Sequence, residues 1–176
     1  KSYVPGGVSI HGTGGTDSSR YCYTVWLRHL SILYQNGFSK TFNTIAELGP
    51  GDSIGTGLAG LLSGSEKFYA LDVIEHTDIK KNISIFDELV SLFANHSTLP
   101  DDNEFPRAVP RLDSYNFPSE IFVNNDLEKF LDKSRIKSLR NELIDIKKQK
   151  KSIQYMCPWN DPKIIENDSV DLVFSQ

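Results

Sequence analysis

The 176-residue sequence contains little cysteine, no long apolar run and no excess of positive charge. Its two cysteines, Cys22 and Cys157, are far apart and form no CxxC pair, which excludes a disulfide framework and favours a reducing, cytoplasmic environment. The least polar stretch, residues 54–64, is interrupted by four glycines. It is much shorter than the roughly 18 apolar residues that a membrane-spanning helix needs. We therefore expect a cytoplasmic protein that has no membrane partner.

The charge and the histidines argue against two further kinds of ligand. A formal net charge of −4 repels polyanions, so nucleic acid is not the expected partner and a small or neutral substrate fits better. The histidines lack the spacing of metal ligands, and we expect no metal site. These histidines are His11, His29, His76 and His96.

The first 72 residues show the pattern helix, strand, helix, strand. Apolar residues recur every three or four positions over residues 19–36, which predicts an amphipathic helix with Trp26 in the core. Residues 44–48 and 67–71 are short apolar runs that end at turn residues, and both are predicted strands. Ser53 is placed to cap the intervening helix. A strand, a helix and a strand within about 30 residues form a βαβ unit, whose two strands are parallel.

The middle of the sequence predicts two helices separated by an irregular stretch. Residues 82–95 show helical spacing of apolar positions. Residues 97–124, called the Pro-rich segment below, carry four prolines and several aromatic residues, and this composition predicts an ordered loop or a lid. Residues 125–150 are predicted to form one long helix, which starts at a capping box made by Asn125 and Glu128.

Two further strands, residues 153–156 and 170–174, complete the predicted sheet. We expect the α/β class, with a Rossmann-like, mainly parallel sheet of order 3-2-1-4, helices on both faces and a lid-like insertion after the second strand. The Gly-rich N-terminal arm is either flexible or a lid whose backbone amides meet a ligand. The chain is predicted to be a single domain that divides into the arm, a βαβ start, a helical and Pro-rich insertion, and the last two strands: residues 1–17, 18–72, 73–151 and 152–176.

The turn after the first strand combines residue types that suit ligand binding. Gly49 and Gly51 allow the backbone to approach a ligand closely and to adopt a positive φ. Asp72 closes the second strand, 72 − 47 = 25 positions after Glu47. Dinucleotide-binding folds place an acid at the end of this strand to accept hydrogen bonds from ribose. Because parallel strands present such residues at one edge of the sheet, outside their carboxyl ends, these residues predict a ligand site there.

Residues 47–51 resemble the first motif of the class I S-adenosylmethionine (SAM)-dependent methyltransferases, which is an acid, any residue and then Gly-x-Gly. The resemblance implies that Glu47 lies near the methionine part of SAM and that the glycine turn meets the cofactor. It also implies that Asp72 binds the ribose. Ser53 stands where the commonest form of the motif has a third glycine. The site predicted from these two stretches consists of Glu47, Gly49, Pro50, Gly51, Asp72 and Val73.

Two later stretches extend the resemblance. Cys157 and Trp159 follow the third strand, where the family places residues around the adenine ring, and they complete the predicted site. Asp161 is a candidate for the acid that contacts the adenine amine. Residues 168–176 resemble the fourth-strand motif of the family. The Pro-rich segment, within a long insertion over residues 73–151, resembles that of some bacterial methyltransferases that modify surface polysaccharides or small molecules.

The resemblance predicts SAM-dependent transfer of a methyl group to an oxygen of a small-molecule or sugar acceptor, with no metal and no assigned catalytic residue. Two alternatives stay open. One is a non-catalytic SAM- or nucleotide-binding module. The other is a dehydrogenase-like dinucleotide binder, which is disfavoured because Gly-x-Gly-x-x-Gly needs glycine where Ile54 stands. His11 and His76 are interpreted as structural, and Arg20 is a weak candidate for contacting a cofactor carboxylate.

The resemblance also predicts that the chain is the N-terminal portion of a longer enzyme, because the sheet of the family continues beyond its fourth strand. Residues 170–174 would then stand at a sheet edge, and apolar edge strands are normally covered. We expect this strand to be covered by a second copy of the chain, in a homo-oligomer, or by the missing C-terminal half.

Overall fold

The structure is a computed structural model that describes residues 15–38, 41–124, 126–148 and 151–175. Most of the predicted Gly-rich arm lies outside these ranges, and so do His11, Asn125 and the predicted end of the long helix at Lys150. The predictions that concern those positions are therefore not addressed by the structure.

The described strands form one parallel sheet. Its order is β3-β2-β1-β4, and every neighbouring pair is parallel. The α/β class and the predicted order 3-2-1-4 are both confirmed. The fourth strand is shorter than predicted and starts at Leu172. The strands are β1 (Thr44–Leu48), β2 (Lys67–Leu71), β3 (Ile153–Met156) and β4 (Leu172–Phe174).

Five α-helices and one 3-10 helix accompany the sheet in the described ranges. None of these helices is both long enough and apolar enough to cross a bilayer. They are α1 (Ser19–Gln35), α2 (Gly55–Leu62), α3 (Ile79–Ala94), α4 (Asp126–Phe130), α5 (Lys133–Ile144) and the 3-10 helix Pro162–Ile164.

Three helix boundaries differ from the prediction, two of them because of capping side chains. Helix α3 begins at Ile79, three residues before the predicted start at residue 82. The Asp78 carboxylate accepts a hydrogen bond from the Lys81 N–H and caps the helix there. The predicted helix over residues 125–150 is wrong, because Asp132 starts a new helix by accepting from the backbone of Ser134. α2 begins at Gly55 with Ile54 as its N-cap residue, although the Ser53 hydroxyl still accepts from the Gly55 N–H.

The α-helices pack on one face of the sheet, so the prediction of helices on both faces is wrong for the described residues. Buried side chains from all five helices form one cluster with the strand residues Ile45, Phe68 and Ile153. On the other face, Tyr69 and neighbouring side chains are covered by the irregular connection from β3 to β4. The handedness of crossovers explains this division. Steps from β1 to β2 to β3 run in one direction across the sheet, whereas the step to β4 runs back and puts its connection on the opposite face.

Helix α2 is buried along its whole length between the sheet and helices α1 and α3. Glycine permits this close approach. A Cβ at Gly57 would overlap the ring of Phe68, and one at Gly60 would collide with Ile45. The glycines of α2 therefore set the spacing between the helix layer and β1 and β2, whose carboxyl ends carry the predicted site.

The Pro-rich segment is fixed to α1 by a fully buried arginine. The Arg28 guanidinium donates to the carbonyl oxygens of Pro100 at 3.0 Å and Ala108 at 2.7 Å, and to Asp102 Oδ1 at 2.9 Å. It also lies 4.8 Å from the centroid of the Tyr115 ring. A buried cation is tolerated only when it is paired and hydrogen-bonded, and the segment supplies these partners. The segment is thus an ordered loop, as one of the two readings predicted.

Replacing this guanidinium tests whether it holds the segment in place. We expect Arg28→Met to lower the free energy of unfolding by about 3 kcal/mol, because the carbonyl groups that it satisfies lose their donors. Urea unfolding measures the change. Arg140→Met, which breaks an exposed ion pair with Asp87, should leave the midpoint almost unchanged. Equal losses in the two variants would contradict the anchoring role of Arg28.

Candidate functional site

The predicted site residues lie at one edge of the sheet, where β1, β2 and β3 end. The glycine turn follows β1, and Asp72 follows β2 directly. Cys157 and Trp159 follow β3, and the segment that contains them is hydrogen-bonded to Asp72: the Trp159 N–H donates to the Asp72 carbonyl oxygen at 3.0 Å. The parallel sheet therefore brings together three stretches of sequence that are far apart in the chain.

Both glycines of the turn have a backbone conformation that other residues rarely adopt. Gly49 has φ +66° and Gly51 has φ +74°. A Cβ built at Gly49 would meet no atom within 4 Å, whereas one at Gly51 would lie 3.5 Å from Thr16 Oγ1. The turn is also tied to β2, since the Gly49 N–H donates to the Leu71 carbonyl oxygen at 2.8 Å. Open space thus lies beside Gly49 at the end of β1.

Two hydrogen-bond partners that the sequence did not predict, Thr16 and Asn82, hold the glycine turn in place. The Ser53 hydroxyl donates to the carbonyl oxygen of Thr16, and Thr16 Oγ1 accepts from the Ser53 N–H at 3.4 Å. The fully buried Asn82 side chain of α3 accepts from the Ile54 N–H at 3.1 Å. Ser53, the departure from the family motif, therefore connects the turn to the residues before α1. No local pattern identifies these partners, because they are distant in sequence.

Glu47 is fully buried on the face of the sheet that the helices cover. It lies close enough to Cys22 of α1 to affect its ionisation: burial, followed by the charge of Glu47, raises the pKa of the Cys22 thiol to about 12. The first acid of the motif therefore stands beside the start of α1, behind the glycine turn.

Asp72 carries an acceptor atom that the described chain does not satisfy. Its Oδ1 accepts from the backbone N–H groups of Val73 at 2.8 Å and Ile74 at 3.3 Å. Its Oδ2 is buried and has no hydrogen-bond partner among the described residues. An unsatisfied buried acceptor costs about 1–3 kcal/mol. A ligand hydroxyl that donated to Oδ2 would remove this cost.

Apolar side chains stand next to Asp72. Val73 and Ile74, which follow Asp72, are 69% and 55% exposed. The half-buried Trp159 packs with Tyr69 and Ile165 on the face of the sheet that the connection from β3 to β4 covers. Such surfaces suit a flat heterocycle that has few polar contacts. Cys157 is half-buried at the same edge.

Of three weaker candidates from the sequence, two are engaged in other contacts and one is exposed. Arg20 makes two hydrogen bonds of 2.6 Å to the Glu104 carboxylate, and Asp161 caps the 3-10 helix by accepting from the Lys163 N–H at 2.9 Å. His76 is exposed in the loop after β2. No group of three or more His, Cys, Asp or Glu side chains within the described ranges is arranged to hold a metal ion.

A separate groove of about 730 Å³ lies between the start of α1 and one face of α3. Its lining is rich in hydroxyl and charged side chains, and Ser19 Oγ donates to Glu88 Oε2 at 2.6 Å on its floor. None of the eight predicted site residues lines this groove.

No protein-family model matches the chain, and no curated protein and no solved structure is similar to it. A function for this protein therefore has to be inferred from the chemistry and geometry of the site itself.

Two glycine substitutions separate backbone conformation from packing. We expect Gly49→Ala to cost about 1–2 kcal/mol of stability, because the new Cβ has space but the positive φ is unfavourable. We expect Gly57→Ala to cost more, because its Cβ overlaps the Phe68 ring. Thermal and urea unfolding provide the comparison. A more severe loss in Gly49→Ala than in Gly57→Ala would refute the described path of the turn.

The buried Cys22 thiol predicts a pH dependence of stability. Its pKa rises from 9.0 to about 12 on folding, so the unfolded state loses this proton first as the pH rises. The contribution is fully present below about pH 9 and is lost between about pH 9 and about pH 12, with a slope of up to about 1.4 kcal/mol per pH unit. Urea unfolding of wild type and Cys22→Ala over this range measures the difference. Parallel pH curves for the two proteins would exclude it.

Proposed function

We propose that the protein binds S-adenosylmethionine at the carboxyl edge of β1, β2 and β3 and transfers its methyl group to an oxygen of a small-molecule or sugar acceptor. The observation that carries the proposal is the buried, unsatisfied Oδ2 of Asp72, beside a turn that has two positive-φ glycines and open space. A nucleoside ligand offers ribose hydroxyl donors for such an acceptor.

The residues present fit the three parts of the cofactor. Asp72 accepts from ribose hydroxyls, and Val73 and Trp159 supply the apolar surface for adenine. The glycine turn lets the methionine part approach the backbone, with the buried Glu47 behind it. When bound, SAM supplies a methyl group activated by a positively charged sulfur.

The task that remains for the chain is to hold the acceptor oxygen in line with that methyl group. Orientation contributes much of the rate in such a displacement, so a dedicated base is not essential. The net charge of −4 favours an acceptor that is not a polyanion. The proposal includes a small-molecule or sugar acceptor and a cytoplasmic location. It also includes membership of the bacterial methyltransferases that modify surface polysaccharides or small molecules.

Calorimetric titration with S-adenosylhomocysteine, the demethylated product, tests the cofactor assignment. We expect wild type to bind this compound and not NAD. Asp72→Asn keeps an oxygen for the Val73 and Ile74 amides and replaces the unsatisfied oxygen with a donor. It should therefore weaken binding by about 1–3 kcal/mol, roughly 5-fold to 150-fold.

Asp113→Asn is the matched control, because it makes the same charge change at an exposed acid that is not among the predicted site residues. It should bind S-adenosylhomocysteine as wild type does. Saturable binding of NAD without any signal from S-adenosylhomocysteine would contradict the proposed function. Equal affinities of the Asp72→Asn and Asp113→Asn variants would contradict the ribose assignment alone.

A further inference from the structure

Tyr155 of β3 carries a second buried polar atom that the described chain does not satisfy. Its hydroxyl group forms no hydrogen bond of ordinary geometry with a described residue, although the thiol of Cys157, a weak hydrogen-bonding group, lies close to it. A buried hydroxyl without a partner is unfavourable, and most such groups in folded proteins are satisfied. The sequence places Tyr155 in the third strand and at the start of the stretch that the resemblance sets around the adenine ring, and it predicts no polar contact for its hydroxyl group.

The strand register places Tyr155 next to Asp72. Tyr155 pairs with Ala70 of the neighbouring strand β2, and Asp72 lies two residues after Ala70. Side chains two residues apart in a strand point to the same face of the sheet. Tyr155 and Asp72 therefore belong to one face and lie diagonally across neighbouring strands, a distance that a long side chain can bridge.

The electrostatic surroundings of the Tyr155 hydroxyl agree with this placement. Burial raises the pKa of the phenol most, and the proximity of Cys157 and Asp72, a side-chain interaction with Cys157 and the charge of Glu75 raise this pKa further. The phenol is thus protonated at neutral pH and can both donate and accept hydrogen bonds. Within the part of the chain that the structure describes, Asp72 Oδ2 and the Tyr155 hydroxyl are two unsatisfied groups on the same side of the β2 and β3 ends.

The two groups are complementary to a ligand hydroxyl. A carboxylate only accepts hydrogen bonds, whereas a phenol can donate. A hydroxyl group that donates to Asp72 Oδ2 can accept from Tyr155 at the same time, and a ribose presents two adjacent hydroxyls. A ligand carbonyl or phosphate in this position would instead be repelled by the carboxylate.

We propose that Tyr155 is a second ribose-binding residue, which holds a ribose hydroxyl together with Asp72 and selects a nucleoside ligand. This inference rests on the proposed function, since the nucleoside is taken to be that of SAM. It assigns to β3 a polar contact with the sugar in addition to the apolar contact of Trp159 with the base.

Tyr155→Phe removes the hydroxyl and keeps the ring. We expect its affinity for S-adenosylhomocysteine to fall about fivefold to tenfold, as for the loss of one hydrogen bond. Its thermal stability should be unchanged or higher, because an unsatisfied buried group has been removed. Tyr34→Phe is the matched control, since Tyr34 lies at the C-terminal end of α1 and is not among the predicted site residues, and its affinity should equal that of wild type.

The 2′-deoxy and 3′-deoxy analogues of S-adenosylhomocysteine locate the contact. One of the two analogues should bind wild type about fivefold to tenfold more weakly than S-adenosylhomocysteine does. The affinity of Tyr155→Phe for that analogue should be little lower than that of wild type, because both changes remove the same hydrogen bond. The inference would be overturned if Tyr155→Phe bound S-adenosylhomocysteine as tightly as wild type does. It would also be overturned if the loss of affinity caused by Tyr155→Phe added in full to the loss caused by each deoxy analogue. Either result would leave the proposed function intact. A loss of stability that accompanies the loss of affinity would also overturn the inference, since Tyr155 would then be structural. Absence of binding to wild type would overturn both.

Discussion

The buried guanidinium of Arg28 is the constraint on which much of this structure depends. A cation that is fully excluded from water must be surrounded by acceptors, and the Pro-rich segment provides carbonyl oxygens and the Asp102 carboxylate from positions more than 70 residues further along the chain. An irregular segment without a helix or strand is thereby given one arrangement. The segment in turn is hydrogen-bonded to α1 through Tyr23, Thr24 and Arg28.

The position of α1 matters for the site because the chain just before this helix holds the glycine turn. Glu104 and Phe105 of the Pro-rich segment contact the first turn of α1 through Arg20 and Tyr21, whose ring lies 5.3 Å from that of Phe105. Immediately before the helix, Thr16 is hydrogen-bonded to Ser53. The Pro-rich segment, α1 and the glycine turn therefore form one connected arrangement, in which a distant loop supports the edge that carries the predicted site.

Local patterns predicted the sheet and the edge of the site, whereas distant contacts were not predictable. The strands were predicted from short apolar runs, their order from the Rossmann-like fold that this pattern indicates, and the edge that carries the predicted site from the glycine turn and Asp72. The break at Asp132 was missed because a cap competed with a continuous helical pattern. The burial of Arg28 and the unsatisfied Tyr155 hydroxyl depend on partners or register that only the folded chain supplies. Sequence patterns report which face of an element is apolar, but they do not report which polar groups remain without partners.

The central claim is that one ligand occupies the edge formed by the glycine turn, Asp72 and Trp159. Titration of isotopically labelled protein with S-adenosylhomocysteine, followed by amide and indole NMR signals, tests it most directly. The account predicts saturable shifts that are largest at Gly49, Gly51 and Asp72 and at the Trp159 indole, with no response to NAD. Saturable shifts confined to the groove between α1 and α3, or no saturable shifts at all, would contradict it.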